Sequence, residues 1–179
     1  MSKTSVLIPL LLLLQAPLAL AAELQLKLNT LTVEDGDTLL IPFNGKEMRL
    51  QLLDIDAPED SNNPKLLLDL QTTGLDRDRL LQLGQASTAR LKQLIADTGP
   101  FQARFDPDLR DRYGRINGEV FDAQGRSLAA TLVSEGYAVP TKPADTPSPH
   151  REHALQAKAA KRGLWAEATA KSMAAWSKY

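Results

Sequence analysis

A chain of 179 residues with 43% hydrophobic and 24% charged residues has the size and balance of one globular domain. It contains no cysteine, which excludes a disulfide scaffold, a cysteine-ligated metal centre and a thiol nucleophile. With 21 basic and 22 acidic residues the formal net charge is −1, which argues against coating nucleic acid through bulk charge. Any phosphate chemistry must therefore come from a few placed groups.

The first segment, Met1 to Ala22, has the layout of a secretory signal peptide: one cation, Lys3, an apolar run from Val6 to Leu14, then the small-residue stretch Ala19, Leu20, Ala21, Ala22. The apolar run is shorter than the roughly 20 residues of a membrane-spanning helix. The expectation is export to a periplasm or the medium, with cleavage after Ala21 or Ala22 and no stable membrane insertion afterwards. Cleavage would remove one base and no acid, taking the net charge from −1 to −2. The rest is expected as one domain over 23–166, a C-terminal tail over 167–179, and a monomer.

Taken in chain order, Leu24, Leu26 and Leu28 alternate with polar residues as a half-buried strand does. Thr38 to Phe43 and Glu47 to Ile55 are two further runs joined by Asn44-Gly45, the strongest hairpin signal in the chain. The stretch from Ser61 to Asp78 carries Leu66, Leu67, Leu68 and Leu70, but Asn62-Asn63-Pro64 and Thr72-Thr73-Gly74 bound it. It reads as a long loop with some helix, and as an insertion. The recurrence of Leu80, Leu83, Ser87, Leu91 and Leu94 predicts a helix over 79–97, stopped by Gly99-Pro100. Phe101 to Phe105 and Ile116 to Phe121 are candidate strands, the second followed by a turn at 122–125. Ser127 reads as the N-cap of a short helix ending at Gly136. A three-proline loop, 142–150, precedes an Ala-rich helix over 153–161, and the end of the chain reads as a frayed helix. Five short strands with about three helices give an α+β, mainly β class and suggest a small barrel.

The chemistry-bearing segment is Val33-Glu-Asp35-Gly36-Asp37-Thr38, followed after one hairpin by Asp54-Ile-Asp56-Ala57-Pro58-Glu59. Asp-Gly-Asp alone is equally ordinary turn chemistry. The two motifs together bring several carboxylates to one end of the barrel, as a hard divalent cation such as calcium requires. A third motif, Asp111-Arg112-Tyr113-Gly114-Arg115, offers guanidinium groups that clamp a phosphate, or a charged turn.

These three motifs, the Ser127 to Glu135 helix with Gly136, and the closing Arg-Gly-Leu-Trp at 162–165 occur in an order that resembles the staphylococcal nuclease (thermonuclease) family of calcium-dependent phosphodiesterases. The resemblance spans Thr32 to Trp165 and implies a five-stranded OB-fold barrel with three helices. It implies Ca2+ as cofactor, held by the carboxylates of Asp37 and Asp56 and the backbone carbonyl of Ala57, and DNA or RNA as substrate. Glu59 would activate the attacking water and Arg115 would bind the phosphate. Asp35, Thr38, Arg112 and Tyr113 would surround them. The alternative is an impaired domain of the same fold that binds nucleic acid or a protein without cleaving.

One position departs from that pattern. The family places a second phosphate-clamping arginine eight residues before the glutamate, where this chain has Gln51. Such an arginine is worth about 10³ to 10⁵ in rate, so its loss predicts a slow enzyme unless Arg49 compensates from the same strand face, about 7 Å away. Asp54 stands where glycine is frequent, and the segment after Gly136 lacks the aromatic residues that often stack on a base. His150 and His153 lie three apart at metal-ligand spacing, but with no third ligand nearby they read as solvated surface residues.

Overall fold

The computed structural model describes residues 23–141 and 148–177. The expected leader, Met1 to Ala22, and most of the three-proline loop lie outside them. In chain order the elements are β1 (Leu24–Leu28), β2 (Thr32–Val33), β3 (Thr38–Phe43), β4 (Lys46–Leu52), β5 (Ile55–Asp56), α1 (Pro64–Thr73), α2 (Arg77–Thr98), β6 (Phe101–Arg110), β7 (Ile116–Phe121), α3 (Leu128–Ser134), β8 (Val139–Pro140), α4 (Arg151–Ala159), a 3-10 turn (Gly163–Trp165) and α5 (Ala170–Ser177).

Six strands form one curled sheet in the order β1-β6-β7-β4-β3-β2, and β5 pairs with β8 in a second, two-stranded one. This is the expected α+β class of OB-fold type. The count exceeds five strands because β2, β5 and β8 are two-residue pairings with no periodicity to read. Asn44 and Gly45 both sit at positive φ, 51° and 73°, so the β3–β4 turn follows the right-handed twist of its strands. That fixes the register, with Thr38 opposite Gln51 and Leu40 opposite Arg49. A parallel pairing then sets Gln51 beside Asn117 of β7.

Alternation does the rest. Leu39, Ile41, Leu50, Leu52, Ile116 and Val120 point inward and are almost wholly buried, under Leu91 of α2 and Leu132 of α3. Each contributes roughly 1.5–3 kcal/mol by leaving water. A second core forms between helices, where Leu66 of α1, Leu80 and Leu83 of α2, Trp165, Met173 and Trp176 meet.

The helices depart most from expectation. The segment expected as a long loop with some helix is mostly helix, α1: Asn63 caps it by accepting from the Leu66 N–H at 2.8 Å, Pro64 opens the first turn, and Gly74 closes it at φ 68°. Asp76 caps α2, which starts two residues earlier than predicted. Ser127 caps α3 as expected. The segment expected as a tail forms α5, which buries Met173 and Trp176, and the Trp176 indole N–H donates to Asp69 Oδ2 of α1 at 2.8 Å. Among the described residues no helix is long and apolar enough to cross a membrane.

Candidate active site

The Asp-Gly-Asp turn leads into β3, and its local bonding aims both carboxylates. Asp35 Oδ1 accepts from the backbone N–H groups of Asp37 and Thr38 at 3.1 and 2.8 Å, which folds the turn back on itself. The Asp37 carbonyl accepts from the Leu52 N–H at 2.8 Å and locks the turn to the end of β4. Asp37 itself is buried, with Oδ2 accepting from the Ala57 N–H at 2.7 Å. The Thr38 hydroxyl stands 3.1 Å from both Asp37 Oδ1 and Gln51 Oε1, so its single proton serves one of them at a time.

Close packing holds the second motif against the first. A Cβ on Gly36 would lie 2.8 Å from the Cβ atoms of Ala57 and Ser87, so only glycine lets the turn approach both. A Cβ on Gly84 of α2 would lie 2.1 Å from the carbonyl oxygen of Glu59. The helix therefore presses directly on the backbone that carries Glu59, while Thr88 donates to Asp60 at 2.7 Å one turn on.

Asp37, Asp56, Glu59, Gln51 and Arg115 all line one cleft cavity of about 260 Å³. A neighbouring cavity of about 220 Å³ is lined by Asp35, Arg49 and Tyr113, and shares Glu59, Lys65 and Arg115 with the first. Burial pushes the Asp37 carboxyl well above its ordinary value, with the charges of Asp35 and Asp56 adding to the effect. Asp56 is raised too, again by burial, against the pull of Lys65.

The arginines reach the cleft from different elements. Arg115, at the start of β7, donates through Nε to Asp111 Oδ2 at 2.8 Å, and Asp111 Oδ1 accepts the Tyr113 and Arg115 backbone N–H groups. Burial raises the Asp111 carboxyl, but these hydrogen bonds outweigh it and hold the group below its ordinary value. The same turn recurs at 122–126, where Asp122 holds the backbone and guanidinium of Arg126 in the same way. Arg49 projects into the second cavity and donates to Glu34 Oε2 at 2.6 Å, which raises the guanidinium further above its ordinary value. Tyr113 is half exposed, with Arg112 and Arg115 over its ring at 4.8 and 5.3 Å. Arg112 is exposed and lines neither cavity.

Two groups at the site carry no sequence motif. Lys65, in the first turn of α1, places Nζ 3.1 Å from Asp56 Oδ1, 2.9 Å from Glu59 Oε1 and 3.3 Å from the Ala57 carbonyl. Burial lowers its pKa, but the Asp56, Glu59 and Asp69 charges more than offset that and raise it. Asn63 Nδ2 donates to Glu59 Oε2 from the other side. The available signal was a lysine directly after an Asn-Pro helix start, six residues beyond the glutamate of the Asp-Ala-Pro-Glu motif. His150 is a correction of another kind: it is buried at the start of α4 and its ring stacks on that of His153, 6.4 Å away, while His153 is exposed.

Among the described residues, no three His, Cys, Asp or Glu side chains are grouped as metal ligands. Asp37 and Asp56 line the same cleft, and Lys65 Nζ lies within 3.3 Å of both Asp56 Oδ1 and the Ala57 carbonyl; two carboxylates and a backbone carbonyl are the donor chemistry a hard cation takes, with water completing its shell. The grouping of Asp35, Asp37 and Asp56, whose charges add to the effect of burial on Asp37, is a further feature that a cation would relieve.

Comparison with known proteins places the chain among nucleases of one family. The chain is 32% identical over 118 residues to Endonuclease YncB of Bacillus subtilis, covering 64% of this chain and 49% of that protein. It is 30% identical over 136 residues to an Escherichia coli protein described as an uncharacterized endonuclease, covering 76% of this chain and 74% of the other. It is 28% identical over 143 residues to Endonuclease YhcR of Bacillus subtilis, covering 75% of this chain and 11% of that protein. The chain thus spans about half of YncB and about a tenth of YhcR. The family described as Staphylococcal nuclease homologue matches residues 49–167, two thirds of the chain, and this protein belongs to that family.

Proposed function

We propose that this chain is a calcium-dependent nuclease that hydrolyses phosphodiester bonds in DNA or RNA, exported by way of the Met1 to Ala22 leader. The observation that carries the reading is the meeting of Asp37, Asp56, Glu59 and Arg115 around one cleft, with endonucleases among the relatives. Asp37, Asp56 and the Ala57 carbonyl are the groups that would hold Ca2+. When bound, the ion supplies positive charge for the phosphate and lowers the pKa of a nearby water.

The chain's own residues supply the remaining parts. Glu59, with its side chain 12% exposed and bonded by Asn63 and Lys65, is positioned to take the proton of an attacking water at its carboxylate. Arg115 is already oriented by Asp111, so its outer N–H groups face the cleft, where they clamp the phosphate oxygens and stabilise the charge that grows on them. Gln51 brings a neutral hydrogen-bonding group where the family resemblance implies a second guanidinium. Arg49 brings charge from the adjoining cavity, and Tyr113 offers a ring face to a base.

Gln51 also favours one other reading. Its side chain carries no charge and its Oε1 lies 3.1 Å from the Thr38 hydroxyl, so position 51 brings a phosphate no cation on that wall. A domain so weakened would bind nucleic acid or a partner without cutting it. Incubation of the mature protein with single-stranded DNA and with RNA, in calcium or in chelator, decides between them. Calcium-dependent cleavage that Asp37→Ala and Arg115→Ala abolish is expected. Cleavage by the wild type no greater than the Asp37→Ala background refutes the nuclease reading.

A further inference from the structure

Lys65 puts a permanent cation on the oxygens that the proposed function assigns to the metal and to proton transfer. Its ammonium touches Asp56, the Ala57 carbonyl and Glu59 together. Those oxygens cannot serve an ammonium group and a divalent ion at once, because two cations sharing them would stand within a few ångströms of each other. The lysine is not a surface residue that happens to lean inward. The Asn63 cap, Pro64 and wholly buried Leu66 fix the first turn of α1 from which it extends.

A second seat lies within reach of the same side chain. Asp69 Oδ2, one turn along α1, is 3.6 Å from Nζ, and the Trp176 ring centroid is 5.4 Å away. The Trp176 indole N–H donates to that same Asp69 oxygen, so carboxylate and aromatic face are held together as a cation acceptor. The flexible lysine stem lets the ammonium move from the first seat to the second without any change in the backbone.

We propose that Lys65 is a tethered counter-cation of the metal site: it neutralises Asp56 and Glu59 while the metal is absent, and yields them to the metal by moving onto Asp69 and the face of Trp176. This rests on the assignment of Asp37, Asp56 and Ala57 as the metal's ligands. Two consequences follow. Calcium affinity is set lower than the oxygen set alone would give, and Glu59 becomes free to accept a proton only when the metal has arrived.

Calorimetric titration of the full chain with calcium chloride tests the competition in wild type, Lys65→Met and Lys65→Gln. Both variants should bind calcium at least tenfold more tightly than wild type. Equal or weaker binding by the variants overturns the inference alone. No calcium binding by any of the three overturns the metal assignment and the inference with it. Acetylation of wild type, read by mass spectrometry, tests the movement independently of how the variants fold. Saturating calcium should speed acetylation of Lys65 at least threefold and leave exposed Lys46 unchanged. A Lys65 rate that calcium does not alter overturns the inference.

Discussion

Replacing Gly84 by alanine sets two effects of opposite sign against each other. Inside a helix, alanine is favoured over glycine by about 0.8–1 kcal/mol, so on propensity alone the variant gains stability. The added Cβ, however, would stand 2.1 Å from the Glu59 carbonyl oxygen, 2.2 Å from its carbon and 2.5 Å from the Asp60 nitrogen. All three are backbone atoms that no rotamer change can move, so α2 and the 59–60 segment must separate by more than about 1 Å to reach an ordinary contact. Overpacking of this kind costs about 1–3 kcal/mol, and a clash with main chain belongs at the upper end. The net expectation is a loss of about 2 kcal/mol, which for a domain of this size lowers Tm by about 4–8 °C. Activity should fall by about tenfold or more, because Glu59 rides on the displaced backbone. Thermal unfolding by circular dichroism, with the cleavage assay alongside, measures both. A Tm equal to or above wild type would refute the argument that α2 sets the position of Glu59.

Arg49→Ala should reduce cleavage at least tenfold if Arg49 stands in for the guanidinium missing at Gln51, and Gln51→Arg should then change the rate little; a large gain from Gln51→Arg with no loss from Arg49→Ala would assign the deficit to position 51. Trp176→Phe keeps an aromatic ring but loses the 2.8 Å bond to Asp69, and should cost about 1–3 kcal/mol in urea unfolding. Burial holds the His150 pKa below its ordinary 6.5, with Asp54 pulling it up and His153 down. The unfolded chain therefore takes up this proton first, so stability should fall as pH drops below about 6.5 and level off below the folded-state pKa. His150→Gln should flatten that part of the Tm-against-pH curve, and an unchanged slope would remove His150 as its cause.

The site's motifs were legible because their chemistry is local and their meeting follows from one turn. Asn44-Gly45 dictates the β3–β4 register, and that register alone sets Thr38 across from Gln51 and brings Asp37 to the end of β4. Lys65 and Gly84 were not legible, because each acts through a neighbour that is remote in sequence or lies on another element. Alpha 1 shows a different limit. Asparagine, proline and glycine mark loops and helix ends alike, and Asn63-Pro64 and Gly74 turn out to be the two ends of a helix. In α5, Met173 and Trp176 are spaced three apart as a helix face requires, but only packing against α1, α2 and the 3-10 turn makes that face buried. The burial of His150 likewise comes from tertiary packing, with nothing in its neighbours to announce it.

The turn used twice, at Asp111 and again at Asp122, separates holding from acting. At the second copy Asp122 is buried and grips an Arg126 side chain that is 60% exposed and lines neither of the two cavities described above, so the grip belongs to the turn itself. Applied to Arg115, it means that much of the roughly 2 kcal/mol of rotamer entropy in an arginine is already lost when the chain folds. A phosphate arriving in the cleft then meets a side chain with little left to order, so a weakly charged protein can hold a polyanion with few contacts.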